Sequence, residues 1–142
     1  MASLARSRAT LRVFGDELQP EEITALLEAQ PTTARFRGQR NEEGRGPPVW
    51  RTGSWRLSAD DADPADPDRQ VAQILDQLTA DIAVWQSLGA RFKIDMFCGW
   101  FMEEQSEGVS LSAHTLRSLG ERGILLDLDL YGWDGAQDPE DA

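Results

Sequence analysis

The stretch Ile124-Leu125-Leu126-Asp127-Leu128-Asp129-Leu130-Tyr131 decides the fold class. Its side chains alternate with a period of two, the period of a β-strand. Ile124, Leu126, Leu128 and Leu130 fall on one face; Leu125, Asp127, Asp129 and Tyr131 fall on the other. A strand that is apolar on one side and acidic on the other needs a sheet covered on one face only. That points to a mostly antiparallel sheet with helices packed against a single side.

The elements before this strand fit that plan. Ser112 is a good helix cap, and the short helix it opens is closed by Gly120 and Gly123. Residues 92–102 read as the central strand. Phe92, Ile94, Met96, Cys98, Trp100 and Met102 share one face, while Lys93, Asp95, Phe97, Gly99 and Phe101 share the other. Asp66-Pro67-Asp68 opens a helix expected to run unbroken to Leu88, with the stripe Val71, Ile74, Leu75, Leu78, Ile82, Trp85 and Leu88. Residues 49–58 and 32–37 read as two strands of a hairpin. The polar, Gly/Pro-rich residues 38–48 between them are expected to form a mobile loop. A helix begins at Pro20, with Glu21 and Glu22 where the helix dipole favours acids, and Pro31 stops it. Residues 10–14 make the first strand.

The expected order is β-α-β-β-α-β-α-β, and its first six elements follow the ferredoxin-like pattern. The expectation is one α+β domain over residues 10–133. It carries a flexible arm at 1–9, an acidic linker at 59–66 and a disordered acidic tail at 134–142. At 142 residues with 40% apolar side chains, the chain can bury a substantial core. No apolar run approaches the roughly 18 residues that a membrane helix needs. The first residues lack an apolar signal core, and Cys98, the lone cysteine, rules out a disulfide within the chain. Both features lead to the expectation of a cytoplasmic protein outside the membrane.

The net charge of −11 is concentrated in residues 60–68 and in the last nine residues. The rest of the chain is nearly balanced, with its arginines weighted toward the half before Leu57. The acidity therefore serves solvation, and no basic stripe speaks for nucleic acid.

The runs Thr10-Leu11-Arg12-Val13-Phe14-Gly15-Asp16 and Leu18 to Ile23, with Gly53-Ser54-Trp55, Asp95-Met96-Phe97-Cys98-Gly99 and Leu126 to Tyr131, resemble the bacterial "domain of unknown function 4279" family. The resemblance spans about residues 10–131. It implies a stand-alone fold and brings no catalytic or binding residue with it.

The candidate site is the sheet face left open. If the helices cover the side of Ile94, Met96 and Trp100, the opposite side gathers Arg12, Phe14, Thr52, Ser54, Arg56, Asp95, Phe97, Phe101, Asp127, Asp129 and Tyr131. Aromatics among charges suit a ligand or a protein partner. Asp95, Asp127 and Asp129 can hold a divalent cation if their strands are neighbours. Against both stands cross-strand pairing of these aspartates with Arg12 and Arg56. Burial of Phe97 and Phe101 beneath the 38–48 loop or a second subunit is another alternative.

Cys98 falls on the covered face and His114 on a helix surface, so no Cys–His nucleophile is expected. One Cys and one His are too few for a usual zinc site. Trp55, Trp85 and Trp100 fall on apolar stripes and read as core, whereas Trp50 and Trp133 read as exposed.

The leading expectation is a non-catalytic binding or protein-interaction module acting through the open face, of which an immunity-type protein is one version. No cofactor is implied. The alternatives are a divalent-cation-dependent enzyme using Asp95, Asp127 and Asp129, and a structural homodimer subunit.

Overall fold

A computed structural model describes residues 2–132. Trp133 and the expected tail at 134–142 lie outside the described residues.

Five strands build the main sheet: β2 (Arg6–Gly15), β3 (Thr33–Arg35), β4 (Gly53–Ser58), β5 (Lys93–Phe101) and β7 (Leu125–Tyr131). Two short strands, β1 (Ala2–Ser3) and β6 (Glu107–Gly108), pair in parallel beside it. The helices are α1 (Pro20–Leu27), α2 (Pro67–Leu75), α3 (Ile82–Arg91) and α4 (Ala113–Glu121). The spatial order of the sheet is β3-β4-β2-β5-β7. The first four strands pair antiparallel, and β7 joins β5 in parallel after crossing over through α4. The protein is thus α+β with a mostly antiparallel sheet, and its strand order is consistent with a ferredoxin-like core extended by one strand.

One face of this sheet meets all four helices. Leu11, Val13, Trp55, Ile94, Met96 and Cys98 pack there with Ile23 and Leu27 of α1, Val71 and Ile74 of α2, Trp85 and Leu88 of α3, and Leu119 of α4. Large side chains such as these each contribute about 1.5–3 kcal/mol on burial. Trp55 and Trp85 also satisfy their indole N–H groups, on Thr24 Oγ1 at 3.0 Å and the Thr79 carbonyl at 2.8 Å. Among the described residues no helix is long and apolar enough to cross a membrane.

The long helix expected over 66–88 is two helices. α2 ends at Leu75, and Asp81 caps α3 by accepting from the Ala83 N–H at 3.0 Å. Between them the Thr79 N–H donates to the Leu27 carbonyl at 2.9 Å, tying the turn to the end of α1. Leu78 stays buried through the break, which is why the apolar stripe runs on without a gap.

The first strand starts four residues earlier than its large apolar residues suggest. Ser7 and Ala9 continue the inward face with small, buried side chains, and Gln70 of α2 packs on Ser7. Ser7 Oγ donates to Gln70 Oε1 at 2.7 Å, and Gln70 Nε2 donates to the carbonyls of Ser7 and Asp60. Residues 59–66 are docked beside this strand: Ala59 is buried, and Ala62 exchanges backbone hydrogen bonds with Ser7.

The hairpin strands are shorter than expected, with β3 ending at Arg35 and β4 beginning at Gly53. Asn41 organises the loop between them. Its Nδ2 donates to the carbonyls of Arg45 and Pro47, both at 2.8 Å, and its Oδ1 accepts from the Glu43 N–H at 2.9 Å.

Candidate functional site

The second face of the sheet carries the residues that the alternation assigned to it. Register sets their neighbours. Arg12 on β2 stands opposite Arg56 on β4 and opposite Asp95 on β5. Phe97 stands opposite Asp127, Gly99 opposite Asp129, and Phe101 opposite Tyr131.

At the centre, Arg12 grips Asp95 with two hydrogen bonds, Nε to Oδ1 at 2.8 Å and Nη2 to Oδ2 at 2.7 Å. This planar two-point geometry is what a guanidinium offers a carboxylate. Asp95 is fully buried, and Arg12 reaches on to Asp127 Oδ2 at 3.5 Å. The Asp95 hydrogen bond, with the charges of Asp95, Asp127 and Asp129 behind it, outweighs burial and raises the Arg12 pKa above its ordinary value. The guanidinium also lies over the Phe97 ring, 4.3 Å from its centroid, and 4.9 Å from that of Phe14.

At the far end Phe101 and Tyr131 stack in parallel, 4.6 Å apart with 7° between their planes. Gly99 leaves room for them, since a Cβ there would touch both rings. Arg6 covers Phe101 from 4.3 Å, and Tyr131 Oη donates to Asp129 Oδ2 at 3.3 Å. Arginines from β2 therefore cover Phe97 and Phe101, and the hairpin loop does not. Tyr131 remains 47% exposed at the sheet edge.

Two expectations are corrected. Asp95, Asp127 and Asp129 do not converge: Asp95 is consumed by Arg12, and no cluster of three metal-binding side chains occurs among the described residues. Arg56, expected to pair with these aspartates as Arg12 does, has no ion pair with any described residue. Its Nε is buried without a hydrogen-bond partner. Burial, and then the positive charges of Arg35 and Arg12, push its pKa below the ordinary value.

The sequence reading left out several contributors. Arg35 joins the face through the β3–β4 register, opposite Ser54. It lies over the ring of Trp50, 3.7 Å from the centroid. Trp50 precedes β4, but the strand expected over 49–58 gives it the face of Thr52, Ser54 and Arg56, so alternation was the signal that could have found it. Arg6 and Arg8 were assigned to an arm and so were not counted.

Cys98 is buried on the helix side, and burial together with Asp95 pushes its thiol up to about 12. His114 is exposed on α4. The two form no nucleophile–base pair.

A family model described as "Domain of unknown function (DUF4279)" matches residues 5–133, so the chain belongs to that family. No curated protein and no solved structure matches it.

Proposed function

We propose that this DUF4279 member is a non-catalytic binding module whose working surface is the open sheet face. One observation carries the reading: an arginine–aromatic surface at the centre of the domain, on the side of the sheet away from the helices. Arginine and aromatic side chains are the residue types that dominate binding energy at interfaces. The face is locally basic, with Arg6, Arg8, Arg12, Arg35, Arg56 and Lys93 against Asp95, Asp127 and Asp129. The chain's excess acidity is drawn largely from residues 60–68 and the tail. The partner that suits this face therefore presents an acidic surface, with attraction across the interface speeding encounter. An immunity-type role belongs here as one version, in which the captured partner is a toxin.

The test is partner capture from the native lysate by the wild type and by a Phe101→Ser/Tyr131→Ser double variant shown to be folded. Loss of a captured protein in the variant is expected. Equal capture by both overturns the assignment of this face.

A second reading rests on the edge strand β7. Leu128, Leu130 and Tyr131 are exposed there, with Leu130 at 62%. An uncovered apolar edge is a template for pairing with another chain, including a second copy. Mass measurement in solution, with Leu130→Lys as the variant, decides it. A wild-type dimer converted to monomer supports the reading, and a wild-type monomer excludes it.

A further inference from the structure

The β3–β4 end of the open face carries a shallow, open hollow of about 340 Å³ lined by residues that include Phe14, Arg35, Trp50, Arg51, Ser54 and Arg56. Strand register builds it. Ser54 stands opposite Phe14 on one side and Arg35 on the other, and Arg56 lies two residues along the same strand face.

Two of the residues that line it each carry a buried polar atom without a hydrogen-bond partner. Ser54 is 3% exposed and its Oγ has no hydrogen-bond partner; the Nε of Arg56 has none either. Leaving a buried polar group unpaired is costly, and leaving a charge unpaired costs more. The obvious counter-ion, Asp95, already has both oxygens on Arg12. Arg35 lies over the Trp50 ring, with no hydrogen bond or ion pair to a described residue, and Arg51 is exposed at the rim. Positive charge and unpaired donors thus lie beside one concavity that Phe14 and Trp50 also line. No described carboxylate forms an ion pair with Arg56, although the charges of Asp95 and Glu43 act on it.

The geometry points to an oxyanion site: the hollow receives a small molecule whose carboxylate or phosphate lies on Arg56 and Ser54 beside Arg35, and whose flat apolar body packs against Phe14 and Trp50. Each part follows from a group in the wall. A guanidinium edge and a hydroxyl are donors matched to an oxyanion. Phe14 and Trp50 supply apolar area and favour a planar ring. The volume is that of a small-ligand pocket and too small for a folded partner. The inference rests on the open face being a binding surface, but it needs no protein partner. It also lies at the opposite end of β2 from Phe101 and Tyr131.

The test uses the purified full chain in low-salt Tris buffer, with benzoate, phenyl phosphate and uncharged benzyl alcohol as probes. Calorimetry gives affinity, and Trp50 gives a fluorescence signal. Saturable binding of benzoate or phenyl phosphate is expected at roughly 0.1–1 mM, with benzyl alcohol at least about tenfold weaker. The tighter of the two anions identifies the head group. Arg56→Met should weaken binding at least about tenfold. Trp50→Ala, which changes only the rim, should weaken it severalfold. Arg117→Met on α4 should leave it unchanged. Absence of saturation by either anion up to about 10 mM, or equal affinity in Arg56→Met, overturns the site. Partner capture by the wild type and by the Phe101/Tyr131 variant is read independently, so failure of one idea does not stand in for failure of the other.

Discussion

Asp95 is fully buried and is held by Arg12 from the neighbouring strand through two hydrogen bonds of 2.7 and 2.8 Å. Removing one partner from such a pair strands the other charge, and that penalty exceeds what the pair itself contributes. Asp95→Asn should therefore destabilise the fold by about 2–4 kcal/mol, the lower part of that range reflecting Arg12's remaining contact with Asp127. Urea denaturation of Asp95→Asn, Arg12→Met and the double variant Arg12→Met/Asp95→Asn measures it. The double variant should lose less than the sum of the singles. A fully additive result would show that the two side chains act independently.

That pairing marks the boundary of what the sequence makes legible. The sides taken by Asp95, Asp127 and Asp129 follow from alternation alone, because a strand side chain has only two directions to point. Which arginine meets which aspartate depends on register, and alternation leaves register open by any even number of residues. Asp95 and Asp127 both contact Arg12, and Arg56 forms no ion pair with a described residue. Trp50 was legible by alternation, since the strand expected over 49–58 gives it the face of Ser54 and Arg56, although β4 itself begins at Gly53. The break between α2 and α3 was hidden because Leu78 and Trp85 keep one apolar phase across it. The capping sequence Thr79-Ala80-Asp81 was the available signal. Ser7 and Ala9 concealed the start of β2 because close helix packing there selects small residues over large ones.

Cys98 supplies a pH dependence with a definite sign. Burial raises its folded pKa from 9.0 to about 12. Between those values the unfolded chain has lost the thiol proton that the native protein retains. Stability contributed by the neutral thiol is complete below pH 9 and declines as pH rises toward 12. Cys98→Ser titrates nowhere in that window, so the stability gap between wild type and variant should narrow above pH 9. Native protein should also resist a thiol-labelling reagent at pH 8, with labelling appearing only as urea unfolds it. Rapid labelling of the folded protein would contradict the buried position.

Gly53 is required by close approach of the backbone. A Cβ there would lie 2.8 Å from the Gly15 carbonyl oxygen and 2.9 Å from Leu18 Cβ. Neither atom is the free end of a flexible side chain, so the strand itself must shift. Gly53→Ala should cost about 1–3 kcal/mol, seen as a lower urea midpoint. Gly120→Ala is the contrast. Open space surrounds that position within α4, and Ala favours helix over Gly by about 0.5–1 kcal/mol, so stability should rise. Equal effects at the two glycines would remove the steric argument.

Arg12 and Arg56 face one another across β2 and β4, yet truncating them should have opposite consequences. Arg12→Met leaves Asp95 buried and unpaired and should cost about 3 kcal/mol. Arg56→Met removes a guanidinium whose Nε is already unsatisfied, on which the positive charges of Arg35 and Arg12 act more strongly than the negative charges of Asp95 and Glu43, and which forms no ion pair with a described residue. Methionine retains an apolar stem of similar reach. Without added anion the Arg56 variant should match the wild type or exceed it by up to about 1 kcal/mol. With benzoate present the order should reverse, because ligand that binds only the folded wild type stabilises it by mass action. Urea midpoints of the three proteins, taken with and without benzoate in low-salt Tris, give the comparison. A large destabilisation by Arg56→Met in the absence of anion would mean that Arg56 already has a structural partner, and the oxyanion site would lose its physical basis.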